Sequence, residues 1–139
     1  NIYWVKKKSK EEIIAAMKAG RFYTVRQGED YRLILDSFSL SSPDLKKEAI
    51  SGESVSIKGK PIVKIRISAS NKKQGKGILS IIQNGKVLIE KKFTTPFEGD
   101  FTITPLKKET NDLSYIRLMV HGGHNMIKTN PIFYRVKKN

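Results

Sequence analysis

The sequence predicts a mainly β protein: an immunoglobulin-like antiparallel β-sandwich preceded by one α-helix. Short β-rich segments recur along most of the chain with turn signals between them, as in such sandwiches. Residues 61–70, PIVKIRISAS, alternate between apolar and polar side chains, which is typical of a half-buried antiparallel strand. Asn84 and Gly85 supply the two residues of a type I′ turn between two further β-rich segments.

The helix is predicted over residues 10–19. Ser9 is a favourable N-cap residue, and Glu12 follows three residues later, so the two form a capping box. Gly20 is well placed to end the helix in the left-handed conformation. The apolar face consists of residues about one turn apart: Ile13, Ile14 and Met17.

The remaining strands follow from apolar runs that end at turn-forming residues. The predicted strands are residues 2–5, 22–26, 31–40, 54–57, 61–70, the two arms of the hairpin within 78–93, 101–104, 114–120 and 131–136. The segment HGGHNMIKTN, residues 121–130, is predicted to be a loop.

The long strand over residues 31–40 is predicted to alternate without interruption. Alternation places Ile34, Phe38 and Leu40 on one face. Leu33 and Leu35 would then lie on the opposite face.

The chain has 139 residues, which suits one compact domain, and it contains no cysteine. Disulfides and thiolate metal sites are therefore excluded. The lack of cysteine favours a cytoplasmic location only slightly, since secreted bacterial proteins often lack it too. No apolar run approaches the length of a membrane span. Because the first residue is Asn1 rather than Met, we expect the chain to be a piece of a longer protein.

The net charge of +14 is typical of proteins that bind nucleic acid. The lysines, however, are spread along the whole sequence, mostly at expected turns and strand ends. Arginine, whose planar fork suits phosphate, is a minority of the 27 basic residues. The sequence therefore favours a solvated basic surface over a nucleic-acid site.

Two clusters in the sequence are candidate sites. His121 and His124 in VHGGH could approach one metal ion, but no carboxylate is near them in sequence, so a polar loop is the favoured interpretation. Lys72, Lys73 and Lys76 in KKQGKG are possible anion contacts, although a turn between strands explains the segment equally well. No nucleophile elbow or phosphate-binding loop is present, the carboxylates are scattered, and no catalytic residue is predicted.

Most aromatic residues fall on strand positions, where core packing is the expected role. Tyr23 and Tyr134 are the two candidates for exposed aromatic side chains. Exposed aromatic rings are what sugars and single-stranded nucleic acids stack on.

The opening segment EEIIAAMKAGRFYTV, residues 11–25, resembles the last helix and following strand of PHP-domain metal-dependent phosphoesterases. Segments like those of a C-terminal β-sandwich extension found in many members of that family then follow in order. They are ILSIIQNGKVLIEKKFTTPFEGDF (78–101), SYIRLMVHG (114–122) and TNPIFYRV (129–136).

The resemblance implies that residues 1–27 are the tail of an upstream catalytic domain and that residues 28–139 are an accessory sandwich. The catalytic site of that family is a cluster of His, Asp and Glu around divalent metals, beginning with HxH and ending with DxH. Neither motif occurs here, so no catalytic residue can be assigned and no cofactor is expected in this chain. The divalent metals would belong to the upstream domain.

Three functions are compatible with these observations. The first is a non-catalytic accessory module that supports docking on the upstream PHP domain, assembly, or access of an anionic substrate. The alternative is an independent basic module that binds nucleic acid or an anionic polysaccharide. A small enzyme is disfavoured because nucleophiles, bases and metal ligands do not cluster in the sequence.

Overall fold

A computed structural model describes residues 1–70, 74–105 and 113–137. These ranges contain one helix and twelve strands. In chain order they are β1 (Ile2–Tyr3), α1 (Lys10–Ala19), β2 (Phe22–Arg26), β3 (Leu33–Ser41), β4 (Ala49–Ile50), β5 (Ser54–Ile57), β6 (Ile62–Ala69), β7 (Lys76–Gln83), β8 (Lys86–Thr94), β9 (Phe97–Thr102), β10 (Ser114–Gly122), β11 (Asn125–Thr129) and β12 (Ile132–Val136).

The strands form an eight-stranded and a four-stranded sheet. β10 is central in the larger sheet, and β7 pairs with one of its edges. The other edge of β10 pairs with β12 at its start and with β11 at its end. β8 lies beyond β7, and β2 and then β1 lie beyond β11. β5 runs parallel to β12, whereas the other described pairs are antiparallel. The smaller sheet has the order β4-β3-β6-β9.

The core lies between the two sheets, because each sheet turns alternate apolar side chains inward. In β6, Val63, Ile65 and Ile67 are buried while Arg66 is exposed, which confirms the predicted alternation. In β10, the inward residues are Ile116, Leu118 and Val120. The predicted mainly β sandwich with one helix is therefore confirmed.

Helix α1 has the predicted bounds and caps. The side chain of Ser9 accepts a hydrogen bond from the backbone N–H of Glu12 at 3.2 Å. Gly20 ends the helix with φ 72°, in the left-handed region. Asn130 Nδ2 donates to the Gly20 carbonyl at 3.1 Å, which ties the end of the helix to the sandwich.

The predicted faces of β3 are wrong, because the strand contains a β-bulge. The pairing with β6 shifts between Leu35 and Ser37, so Asp36 has no partner in the ladder. One extra residue reverses the alternation beyond it. Leu33 and Leu35 before the bulge, and Phe38 and Leu40 after it, are consequently all buried in one core; these four have relative exposures of 1%, 2%, 2% and 0%.

The predicted loop over residues 121–130 is also wrong, since most of it forms the hairpin of β10 and β11. Its inward positions are Asn125, Ile127 and Thr129, all of them buried. Two of these are polar, so the segment does not show the apolar alternation that marks a strand in sequence. Their partners lie outside the segment: Thr129 Oγ1 accepts from the N–H of Leu118 on β10 at 2.9 Å.

Asn125 joins the two sheets at the crossover from β2 to β3. Its Oδ1 accepts hydrogen bonds from the N–H groups of Gly28 and Leu33, at 3.0 and 3.1 Å. Its Nδ2 donates to the carbonyl of Tyr31 at 3.0 Å. One buried amide therefore satisfies three backbone groups of the crossover.

Tyr23 and Tyr134 are both buried, so the prediction that they could be exposed is wrong. Tyr134 donates a hydrogen bond from its hydroxyl to Oε1 of the buried Gln83 at 2.6 Å. Burial raises the pKa of both phenols above its ordinary value. Tyr23 lies on β2, which pairs with β11 in the larger sheet. The assignment of residues 1–27 to an upstream domain and of residues 28–139 to an accessory domain remains a prediction.

Candidate functional site

The outer side of the larger sheet carries a concentration of basic residues. We call the outward positions of β8, β7, β10, β11 and β2 the basic face. The inward neighbours of these positions, such as Leu79, Leu118 and Ile127, are fully buried, so the alternate positions point away from the core. The charged residues of the basic face are Arg26, Lys76, Lys92, Arg117, Lys128 and one carboxylate, Glu90.

Two rows of side chains cross the basic face from β8 to β2. Residues that are directly opposite on paired strands lie on the same side of a sheet. The pairing therefore places these residues in the first row: Lys92, Ile78, His121, Met126 and Arg26. It places these in the second row: Glu90, Ser80, Met119, Lys128 and Thr24.

An open cleft of ≈ 640 Å³ lies at the β8 end of the first row. The polar side chains of Lys76, Lys92 and His121 line it, together with Ile78 and Thr94. These three basic residues come from three different strands and line one cleft. Such a group can attract an anion by its field and donate hydrogen bonds to it.

Two glycines allow the strands under this cleft to come close together. A Cβ atom at Gly122 would lie 2.3 Å from the carbonyl oxygen of Lys76, and one at Gly77 would lie 2.5 Å from that of His121. Side chains at these positions would push β7 and β10 apart. The close approach of the two strands beneath Lys76 and His121 therefore depends on glycine in both strands.

The predicted site residues have different outcomes. Lys76 and His121, assigned in sequence to separate clusters, line the same cleft. Lys72 and Lys73 lie outside the described residues. His124 is exposed in the turn after β10, and its carbonyl accepts a hydrogen bond from Arg26 Nε at 3.2 Å. Within the described ranges, no group of three or more His, Cys, Asp or Glu residues could hold a metal ion.

Sequence reasoning missed Lys92 as a partner of Lys76. A regular hairpin closed by Asn84 and Gly85 would place Lys92 opposite Gly77, facing the core. The ladder instead shifts between Ile81 and Ile82, and Leu88 is left without a partner. This bulge places Lys92 opposite Ile78 on the outer face and turns Phe93 inward.

The outer side of the smaller sheet has a different electrostatic character. Lys64 forms an ion pair with Glu48, and Arg66 forms one with Glu98 at 3.1 Å. Hydrogen bonds from Lys64 and Ser39 hold the pKa of Glu48 below its ordinary value, and Glu48 in turn raises the pKa of Lys64. The charges of this face thus largely neutralise one another.

No protein-family model matches the sequence, and a search of curated proteins finds no match. In the part of the chain that the structure describes, no helix combines the length and apolar composition that crossing a membrane requires.

Proposed function

We propose that this chain is a non-catalytic accessory domain of a PHP-type metal-dependent phosphoesterase and that it docks on the catalytic domain through helix α1. The observation that carries the docking proposal is the exposure of the apolar face of the helix. Ile14 and Met17 are 40% and 51% exposed, and Ala16 is the buried residue of the helix. The identity of the docking partner follows from the resemblance of residues 11–25 to the end of a PHP barrel.

The physical argument starts from the capping of α1. A short helix with both caps in place is well defined, yet most helical stability in proteins comes from burying an apolar face. Here that face turns partly to solvent, and Ile2 on β1, a strand that contacts α1, is also 38% exposed. Burying a complete Ile or Met side chain stabilises a protein by roughly 1.5–3 kcal/mol. A catalytic domain that covers this face would therefore gain part of that energy for each residue.

The first test is the reading frame that encodes the chain. The proposal expects an HxH motif near the start of an upstream domain and a DxH motif shortly before Asn1. The metal-activated water that hydrolysis needs would then be formed upstream, by divalent ions held in that domain. An upstream region that encodes neither motif would overturn the proposal.

The second test uses the whole protein. We expect the double substitution Ile14→Glu and Met17→Glu to separate the two domains, measured as faster proteolytic cleavage between them. Val87→Glu is the matched control, because Val87 is also an exposed apolar residue, 57% accessible, but lies on β8. Equal cleavage of both variants and of the unchanged protein would contradict docking through α1.

The alternative function, an independent basic binding module, depends on a different surface, the basic face. Substitutions in α1 leave that surface intact. The two functions can therefore be tested separately in one protein.

A further inference from the structure

The basic face differs from the outer side of the smaller sheet because its positive charges have few opposing charges. The ion pairs between described residues join Lys64 to Glu48, Arg66 to Glu98 and Lys137 to Asp44. None of these residues lies on the basic face. The basic residues are spread along the sequence, yet the fold brings Arg26, Lys76, Lys92, Arg117 and Lys128 to one face without such pairing.

The neighbours of the cations on this face are mostly apolar or uncharged. Lys92 lies opposite Ile78, Arg26 opposite Met126, and Arg117 opposite Ile82. The Nε atom of Arg117 is buried and has no hydrogen-bond partner among the described residues. Cations held in such surroundings keep their charge available for a ligand, because Glu90, the carboxylate on this face, forms no ion pair among the described residues.

The dimensions of the face suit an extended strand. The first row crosses five strands, and at about 4.8 Å per strand spacing it is roughly 19 Å long. One phosphate per 3.4 Å in a stacked strand, or fewer when extended, gives about three to six nucleotides over this length. Lys92 and Arg26 stand at the two ends, and Lys128 lies in the next row beside Met126.

Aromatic and sulfur-containing side chains accompany the cations. Met119 and Met126 are half-buried in the middle of the face. Half-buried aromatic pairs flank it: Tyr115 with Phe133, at 6.4 Å between ring centroids, and Tyr3 with Phe22, at 5.4 Å. Basic grooves combined with aromatic platforms are the usual means of binding unpaired bases.

We propose that the basic face binds single-stranded nucleic acid, with phosphates held by Arg26, Lys92 and Lys128. The cleft between Lys76, Lys92 and His121 receives one phosphate at the β8 end. A sheet surface of this kind favours a single strand over a duplex, because the major groove of B-DNA admits a helix or a two-stranded ribbon rather than a broad sheet. The proposal does not depend on the accessory role or on a PHP parent.

The test measures the binding of a fluorescent oligothymidine of about twenty nucleotides. Binding is monitored by fluorescence anisotropy at several salt concentrations. With about four phosphates neutralised, the logarithm of the association constant should fall with the logarithm of salt concentration with a slope of about −3. We expect the double substitution Lys92→Glu and Lys128→Glu to weaken binding at least about tenfold at about 0.1 M salt.

The matched control is Lys46→Glu with Lys47→Glu. Both residues are exposed between β3 and β4, and the change in net charge is the same. We expect the control to weaken binding less than about threefold, since only long-range attraction is reduced. Circular dichroism and the thermal midpoint establish that both variants are folded.

Three outcomes would overturn the proposal. The first is no binding at low salt, and the second is equal weakening in the test and control variants. The third is equal affinity for oligothymidine and for an abasic strand of the same length, since the abasic strand offers no bases for stacking. That third result would identify the face as a site for anionic polymers in general.

Discussion

The two sheets of the sandwich follow the same alternation of inward and outward residues, yet their outer faces differ in charge pairing. On the smaller sheet, Lys64 stands opposite Asp100 and also reaches Glu48, and Arg66 stands opposite Glu98. On the larger sheet, lysines and arginines stand opposite isoleucines and methionines. The register of the strands, rather than the amino-acid composition, therefore determines which face carries positive charges without opposing charges.

The two sheets keep their relative position only while the crossover from β2 to β3 is fixed. The substitution Asn125→Ala tests the hydrogen bonds that fix it. The substitution leaves the N–H groups of Gly28 and Leu33 without an acceptor and the carbonyl of Tyr31 without a donor. At 1–3 kcal/mol for each unsatisfied group, we expect a loss of about 4 kcal/mol in the free energy of unfolding, measured by urea denaturation.

Asn125→Asp is the matched control for this prediction. The carboxylate retains the acceptor for the two N–H groups, but it is a buried charge facing the Tyr31 carbonyl. We therefore expect a loss at neutral pH that becomes smaller in acid, where the protonated carboxyl can donate to that carbonyl. If Asn125→Ala destabilises the protein by less than about 1 kcal/mol, the amide does not join the sheets as described.

A second prediction concerns the close contact of β7 and β10 beneath the cleft. Gly122→Ala places a Cβ atom 2.3 Å from the backbone carbonyl of Lys76, and neither backbone can move aside cheaply. We expect a loss of about 2 kcal/mol in unfolding free energy, together with weaker oligothymidine binding, because the cleft side chains are displaced.

Gly59→Ala separates this steric effect from the general cost of replacing glycine. Gly59 has φ 78°, and nothing lies within 4 Å of an added Cβ atom. The substitution should cost about 1 kcal/mol through backbone strain and leave binding unchanged. A Gly122 variant that binds as tightly as the unchanged protein would argue against the cleft as a phosphate site.

The sequence was sufficient for the elements that depend on local chemistry. The capped helix from Lys10 to Ala19 and the alternation in β6 were predicted because short-range rules determine them. The Asn84–Gly85 turn was predicted for the same reason, and both residues have positive φ, 48° and 82°.

The sequence was insufficient where partners far away in the chain decide the structure. The bulges at Asp36 and Leu88 have no local signal, yet each reverses which side chains face the core. Strand β11 could not be recognised in the sequence, because two of its inward residues are polar and their hydrogen-bond partners lie in other segments. The registers also decide which basic residues share one outer face, and the basic face could therefore not be found from composition.

The smallest expected effect tests the paired face of the smaller sheet through its pH dependence. The pKa of Glu48 is lowered in the folded protein, so the stabilisation from its ionised form is fully present above the ordinary value of 4.5. It is lost as the pH falls through the folded pKa. Glu48→Gln lacks this contribution at every pH, so the difference in thermal midpoint between the two proteins should shrink below pH 4.5.

The size of this difference must be small, because the carboxyl and ammonium groups are 43% and 38% exposed. Solvent-exposed ion pairs contribute about 1 kcal/mol or less. Glu90→Gln provides the comparison on the basic face, where Glu90 lies opposite Ser80 and forms no ion pair among the described residues. If the two substitutions gave the same pH profile, charge pairing would not distinguish the two faces, and the electrostatic contrast between them would have to be abandoned.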